Sequence, residues 1–408
     1  MNDVTRAFLA LLESAIHAHE PPPMPEGLDW AALYSLAMEH RVEGLLFTPA
    51  LQASPGMPGE LLAQWQQRAM AVTMRQLQIV DTLHGTLSAF EAAGIRAVVL
   101  KGIVLKALYP EPDMRVMSDA DLLVESSAFE DAKALLAGQG YEEIKEDSHE
   151  DTFVCGHPDG LRIELHNRLF DRKNRGFLSR LDEDALFPVS KAARGEAYGG
   201  ECWTLPASEH ALFQLLHMAK HMITTGFGLR QVCDFALFIE ANEQAIDWAW
   251  YGRQCVELDL LPFQQALLAL CRDHLALGDG AWRTLMTDGM AEAESSRALL
   301  DDILDAGVFG KSTAERARSA AVVYRSFDSS RGNEGRWRSL ARAVFVRRDE
   351  LHSPYMYARK YAALLPVAWA HRLFRYAFIE RRRGGESSAG LGVARERMGL
   401  LSKLGMLK

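Results

Sequence analysis

Apolar residues recur at helical spacing from Val4 to His17, and the run Pro21-Pro22-Pro23 stops that first helix. Asp29 reads as the N-cap of a second helix, Trp30 to Arg41, which leads into an apolar stretch from Val42 to Leu51. Past a loop with Pro55, Gly56, Pro58 and Gly59, the pattern predicts one long helix, Glu60 to Ala93, with Gly94 as its stop. At Ile95 the period changes. Strands are expected at 95–100, 119–125, 141–147, 151–156 and 161–168, with a helix over Ala128–Gly138. His157-Pro158-Asp159-Gly160 has hairpin-turn chemistry, and a second hairpin is expected between Ala197 and Leu205, turning at Gly199-Gly200. After Pro206 the helical period returns. Ser208 is the expected cap of Glu209 to Met222, Arg230 to Glu240 follows, and further helices are expected at 244–258, 261–275 and 293–306. Gly307 to Gly310 reads as a linker, and Gly384 to Gly390 as a flexible loop before a last basic helix.

This order predicts an α+β fold: a small mixed sheet flanked by all-helical N- and C-terminal regions. At 408 residues the chain is too long for one ordinary core. The expected division is a helical region 1–93, an α/β domain 94–206, a helical domain 207–308 and a basic helical region 309–408. No apolar run is long enough to span a bilayer, so no transmembrane segment is expected. The N-terminus lacks the pattern of a signal peptide. Five scattered cysteines (Cys155, Cys202, Cys233, Cys255, Cys271), none in a CxxC pair, fit a reducing compartment, and the expectation is a cytoplasmic protein.

Charge changes the picture at one end. Residues 311–408 hold 21 Lys and Arg against 8 Asp and Glu, whereas the rest of the chain holds 24 against 46. A basic tail on an acidic body suits an anionic partner or membrane surface, or else the acidic body itself. Within that region Val367 to Ile379, followed by Arg381-Arg382-Arg383, could lie on an anionic membrane; a core helix with a basic exposed side is the plainer reading.

The chemistry concentrates between Ile95 and Glu125. An apolar run ends at Lys101-Gly102, a short helical segment and a proline-rich turn with Arg115 follow, and Asp119-Ala120-Asp121 runs into Leu122-Leu123-Val124. Two carboxylates at i and i+2 on a strand share a face, and such a pair is most simply stabilised by a divalent cation. A third carboxylate is expected from a neighbouring strand, where Glu164 and His166 alternate with Ile163 and Leu165. Metal-assisted phosphoryl or nucleotidyl transfer needs such acids, a glycine turn to meet phosphate, and a cation or two. Lys101, Gly102 and Arg115 supply candidates for the last two.

The order L-K-G, helix, Y-P-x-P-x-x-R-x-x-x-D-x-D-L-L-V resembles the uncharacterised nucleotidyltransferase family of bacteria, a branch of the polymerase-β-like superfamily. The helix with His210, His217, Lys220 and His221 resembles that family's later histidine-rich helix, and Leu229-Arg230 to Asp234 its following element. The resemblance runs from Trp30 to roughly Leu260. It implies that Asp119, Asp121 and Glu164 are catalytic and hold Mg2+, with Mn2+ as an alternative. It places Lys101-Gly102 in the phosphate loop, where the superfamily carries Gly-Ser, and puts Glu164 where Asp is common.

Each candidate has a plainer alternative. An isolated Asp-x-Asp is uninformative; the glycine turn upstream and Glu164 downstream give this one meaning. Lys101 could snorkel from a buried strand, and Arg115 could be a solvated turn residue. His217 and His221, one helical turn apart, could contact phosphate or pack; His166 could contact the nucleotide. Arg230 and Asp234 read as an i,i+4 ion pair, and Trp30, His40 and Arg41 as packing and capping residues. The expectation is an ATP- or other NTP-binding, Mg2+-dependent transferase that moves a nucleoside monophosphate to an unknown acceptor. Kinase-like phosphoryl transfer on the same scaffold and a non-catalytic nucleotide-binding scaffold are the alternatives.

Overall fold

The computed structural model describes the chain apart from residues 54–55, 146–147, 149, 171–179, 224–225, 288, 308–356, 359–363, 375–385 and 407–408. The basic stretch expected to meet an anionic partner lies largely outside the described residues. Four helices come first: α1 (Asp3–His17), α2 (Trp30–Glu39), α3 (Phe47–Gln52) and α4 (Gly59–Ala92). Capping explains two of the starts. Asn2 accepts from Thr5 N, and Asp29 accepts from Ala32 N at 2.9 Å. His40 is the C-cap of α2 and is fully buried, and Trp30 packs in the core at the start of the same helix.

The sheet has seven strands, β1 (Val98–Val99), β2 (Asp119–Leu123), β3 (Glu142–Glu143), β4 (Thr152–Gly156), β5 (Arg162–His166), β6 (Ala193–Ala197) and β7 (Gly200–Thr204). Their order across the sheet is β3-β4-β5-β2-β1-β7-β6. β2 runs parallel to β5 and β1 parallel to β7, while the other neighbours are antiparallel, so the sheet is mixed. Both expected hairpins form, β4–β5 and β6–β7, but the second begins at Ala193 rather than Ala197 and turns at Tyr198-Gly199, because Gly200 already pairs with Ala197. The predicted strands at 95–100 and 141–147 are corrected to two-residue pairings. Only Val98 and Val99 find partners on both sides, and β3 is an edge strand paired to β4 alone.

Two short helices, α5 (Ile103–Lys106) and α6 (Phe129–Gly138), follow β1 and β2. After a further turn, α7 (Glu183–Leu186), the helical half comprises α8 (Ala207–Ile223), α9 (Leu229–Ala241), α10 (Trp248–Glu257), α11 (Leu261–Leu275) and α12 (Met290–Ala306). Two caps differ from expectation. Helix α8 starts before Ser208, whose hydroxyl accepts Asp247 N at 2.8 Å instead of capping its own helix. Helix α10 starts at Trp248, where Asp247 caps it by accepting from Trp250 N. Near the C-terminus lie α13 (Leu365–Phe374) and α14 (Glu386–Lys403). Residues 386–390, expected as a loop, are the first turns of α14. Among the described residues no helix is long and apolar enough to cross a membrane.

Strand alternation sorts the sheet's side chains between two cores. Val99, Ala120, Leu122, Ile163 and Leu165 pack with Ile79, Leu83 and Phe90 of α4 and with α6. Val98 and Leu123 point the other way, into a larger core built from α1 to α3 and α8 to α12. Asp119 and Asp121 alternate with Ala120 and Leu122, and therefore share the face of Leu123. The polar residues of β2 and β5 thus line the face over which α8 packs.

Candidate active site

Parallel pairing of β2 and β5 sets Asp121 opposite Glu164, Asp119 opposite Arg162 and Leu123 opposite His166. One ligand atom each from Asp121, Glu164 and His166 lie within 4.8 Å of one another. Asp119 precedes Asp121 on the same face, and its Oδ1 accepts a hydrogen bond from Ser118 Oγ at 3.2 Å. Sequence reasoning expected Asp119, Asp121 and Glu164 to hold the metal; the ligand atoms that converge belong to Asp121, Glu164 and His166, and Asp119 is not part of that cluster. His166 Nε2 lies 3.6 Å from Asp121 Oδ1, and the other ring nitrogen is held by Thr152 Oγ1 at 3.1 Å. A ligating histidine is commonly oriented through its second nitrogen in this way. The signal was present in the sequence, since His166 alternates in step with Glu164.

Lys101 is the cation at the centre. Its Nζ lies 3.0 Å from Asp121 Oδ2 and donates to His217 Nε2 at 2.8 Å. Burial opposes charge on Lys101, but Asp121, Asp119 and Glu164 together outweigh it and raise its pKa. Burial likewise works against the Asp121 carboxylate, and Lys101 with His166 overcomes it, holding Asp121 well below the usual carboxylate range. Glu164 moves the other way: burial, then the carboxylates of Asp121 and Asp119, raise its pKa, and Arg162 Nη2 reaches it only at 3.4 Å. Three acids thus face one partly buried ammonium and one half-exposed guanidinium, an arrangement that a further cation would stabilise.

Gly102 makes the turn after Lys101, with φ 67° and ψ −114°, a conformation that favours glycine. A Cβ there would sit 2.7 Å from the Met117 sulfur, so the turn also packs against the segment leading to Asp119. His217 and His221 stand on α8 with ring centroids 4.5 Å apart. Burial and then Lys101 push both below the ordinary imidazole range, His221 to about 4, so both are neutral at pH 7.

Arg115 lies elsewhere. Its guanidinium is buried and grips Asp234 of α9, Nε to Oδ1 at 3.0 Å and Nη2 to Oδ2 at 2.5 Å. Tyr109 donates to the same carboxylate at 2.7 Å. The expected Arg230–Asp234 pair is corrected accordingly: Asp234 serves Arg115, and Arg230 Nη1 donates to Val116 O at 2.6 Å. Lys106 and Gln76, which the sequence reading missed, complete this scaffold. Lys106 Nζ donates to Gln76 Oε1, Pro112 O and Arg115 O, while Gln76 bonds both N and O of Met117. Burial lowers Lys106 to about 7, yet three acceptors suit an ammonium with three N–H groups. No periodicity marks these residues, because they bind backbone that only the folded loop brings to them.

A carboxylate-rich face beside a glycine turn, with a partly buried lysine between acid and imidazole, brings together ligand atoms that could hold a metal ion. The model of a family described as uncharacterised nucleotidyltransferase matches residues 26–276, more than half of the chain, and the protein belongs to that family. No functionally curated protein and no solved structure matches it.

Proposed function

We propose that the protein transfers a nucleoside monophosphate from an NTP to the hydroxyl or phosphate of an acceptor, releasing pyrophosphate, in a reaction that depends on Mg2+ or Mn2+. The observation that carries this reading is the convergence of Asp121, Glu164 and His166 in a chain of the nucleotidyltransferase family. Two carboxylates and an imidazole fit a divalent cation, with the imidazole suiting Mn2+ as well as Mg2+. Asp119, Asp121, Glu164 and His166 would hold it, and it would supply neutralisation of phosphate charge and activation of the acceptor oxygen.

The chain's own groups have distinct parts. Lys101, kept charged by its acids, meets the negative charge that builds on the phosphates, and the Gly102 turn lets backbone approach them. His217 accepts from Lys101 and fixes the direction of the ammonium. As the acceptor oxygen bonds to the α-phosphorus, the bond to pyrophosphate breaks and the acceptor proton passes to Glu164, the carboxylate opposite Asp121 on the neighbouring strand. Arg115 acts at one remove, by holding the loop in front of Asp119.

The test uses α-labelled NTP, Mg2+ or Mn2+ and a mixture of acceptors. Label should move to an acceptor with release of pyrophosphate, and Asp121→Asn should lower turnover by at least about a hundredfold in a chain that circular dichroism shows to be folded. Full activity in that variant, or release of a nucleoside diphosphate, overturns the reading.

A further inference from the structure

Three adjacent strands carry the polar groups around His166. β4 pairs antiparallel with β5, so that Thr152 stands directly opposite His166. β5 pairs parallel with β2, so that Glu164 stands opposite Asp121. Directly opposed residues share a face of the sheet, as do residues i and i+2 of one strand. Thr152, His166, Glu164 and Asp121 therefore lie on one face, fixed by backbone ladders and not by loops.

The two ring nitrogens of His166 face different partners. Nδ1 lies 3.1 Å from Thr152 Oγ1, within hydrogen-bond distance. Nε2 lies 3.6 Å from Asp121 Oδ1, too far for a hydrogen bond. That spacing still lets both atoms reach one ion, since such donors bind at about 2.0–2.2 Å. Asp121 is divided in the same way: Oδ2 lies 3.0 Å from Lys101 Nζ, and Oδ1 is the oxygen on the side of His166. A ring with its proton on Nδ1, donated to Thr152, presents a lone pair at Nε2. That lone pair discriminates between ions. Mg2+ is a hard ion served by oxygen, whereas first-row transition ions accept imidazole readily.

We propose that Thr152 is a positioning residue that aims His166 Nε2 at the ion, and that the centre thereby selects a first-row transition ion such as Mn2+ over Mg2+. Thr152 acts only through His166: by accepting from Nδ1–H it fixes both the tautomer and the direction of the ring. The inference deepens the nucleotidyl-transfer reading and rests on its metal centre, but not on the acceptor or the products.

The experiment measures ion binding to the full chain, stripped of metal by a chelator, without nucleotide or acceptor, so that it stands apart from transferase activity. Mn2+ is followed by electron paramagnetic resonance, and Mg2+ by its competition for the same site. Mn2+ should bind at least about tenfold more tightly than Mg2+, and the bound Mn2+ should show coupling to an imidazole nitrogen. Thr152→Val, which keeps the β-branched shape, should weaken Mn2+ binding at least about tenfold and Mg2+ binding less. Thr152→Ser, which keeps the hydroxyl, should bind both ions as the parent does. His166→Gln should abolish the nitrogen coupling and the preference together. Equal affinity for the two ions, no nitrogen coupling in the parent, or Thr152→Val binding Mn2+ as tightly as Thr152→Ser overturns the inference and leaves nucleotidyl transfer to the labelled-NTP test. Failure of both ions to bind overturns the metal centre itself.

Discussion

His210 stands where the helical half meets the sheet. Its Nε2 lies 2.5 Å from Leu100 O, the carbonyl just before Lys101, and its Nδ1 lies 3.3 Å from Thr204 Oγ1. Burial lowers its pKa to about 4, and burial does the same for His40 in the helical core and His221 beside Lys101. Each is ordinary in the unfolded chain, near 6.5. Between pH 6.5 and 4 the unfolded chain therefore binds protons that the folded chain does not, and stability falls as pH drops through that window. Each histidine contributes up to about 3 kcal/mol to that loss, by the usual conversion of pKa differences to free energy. Urea unfolding at pH 8 and pH 5 should differ by several kcal/mol, and His210→Gln should reduce the difference. A variant as pH-sensitive as the parent removes His210 from this account.

At the scale of elements, the loop between α5 and β2 owes its shape to side chains that arrive from α4 and α9. Asp234 binds Arg115 and Tyr109, Arg230 takes Val116 O, and Gln76 takes Met117. Removing one partner of a buried pair strands the other, so Asp234→Ala should cost about 3–5 kcal/mol. Activity should fall as well, because residues 115–118 set the start of β2. The double variant with Arg115→Met should recover part of the stability lost, and a double-mutant cycle with no coupling would remove the pair from this role. This scaffold also explains what the sequence made legible. The long helix α4, the β4–β5 and β6–β7 hairpins and the carboxylates of β2 and β5 follow from local period and turn chemistry, which act over a few residues. Arg115 was legible as a charged residue near the acids, but its partner lies 119 positions away. No spacing rule ties Arg115 to Asp234, and the i,i+4 rule offered Arg230 instead. Ser208 misled for a similar reason: a favourable capping residue is used by a different helix when tertiary contacts bring a better donor.

For the whole molecule the governing fact is a core shared between distant parts of the chain. Phe8, Leu11 and Leu12 of α1, Val98 and Leu123 of the sheet, Leu267 and Leu270 of α11, and Leu401 and Leu404 at the C-terminal end belong to one buried cluster. The N-terminal helices therefore do not form a core apart from the helices after residue 207; α1 packs directly on α11. The last helix is tied in by Arg397, whose Nη2 donates to Met222 O of α8 at 2.9 Å and whose Nε lies 3.6 Å from Asp302 of α12. Helix α8 also carries His217, so the packing of the far C-terminus reaches the lysine of the site through one rigid element. Burial on this scale couples the parts, and unfolding should be a single transition in which tryptophan fluorescence and far-UV circular dichroism coincide. Leu401→Ala, a fully buried residue of the C-terminal helix, should cost about 2–5 kcal/mol and move both probes together. Two separated transitions, or a Leu401→Ala effect seen by only one probe, would instead divide the chain into units that fold independently and leave the site's rigidity to the sheet alone.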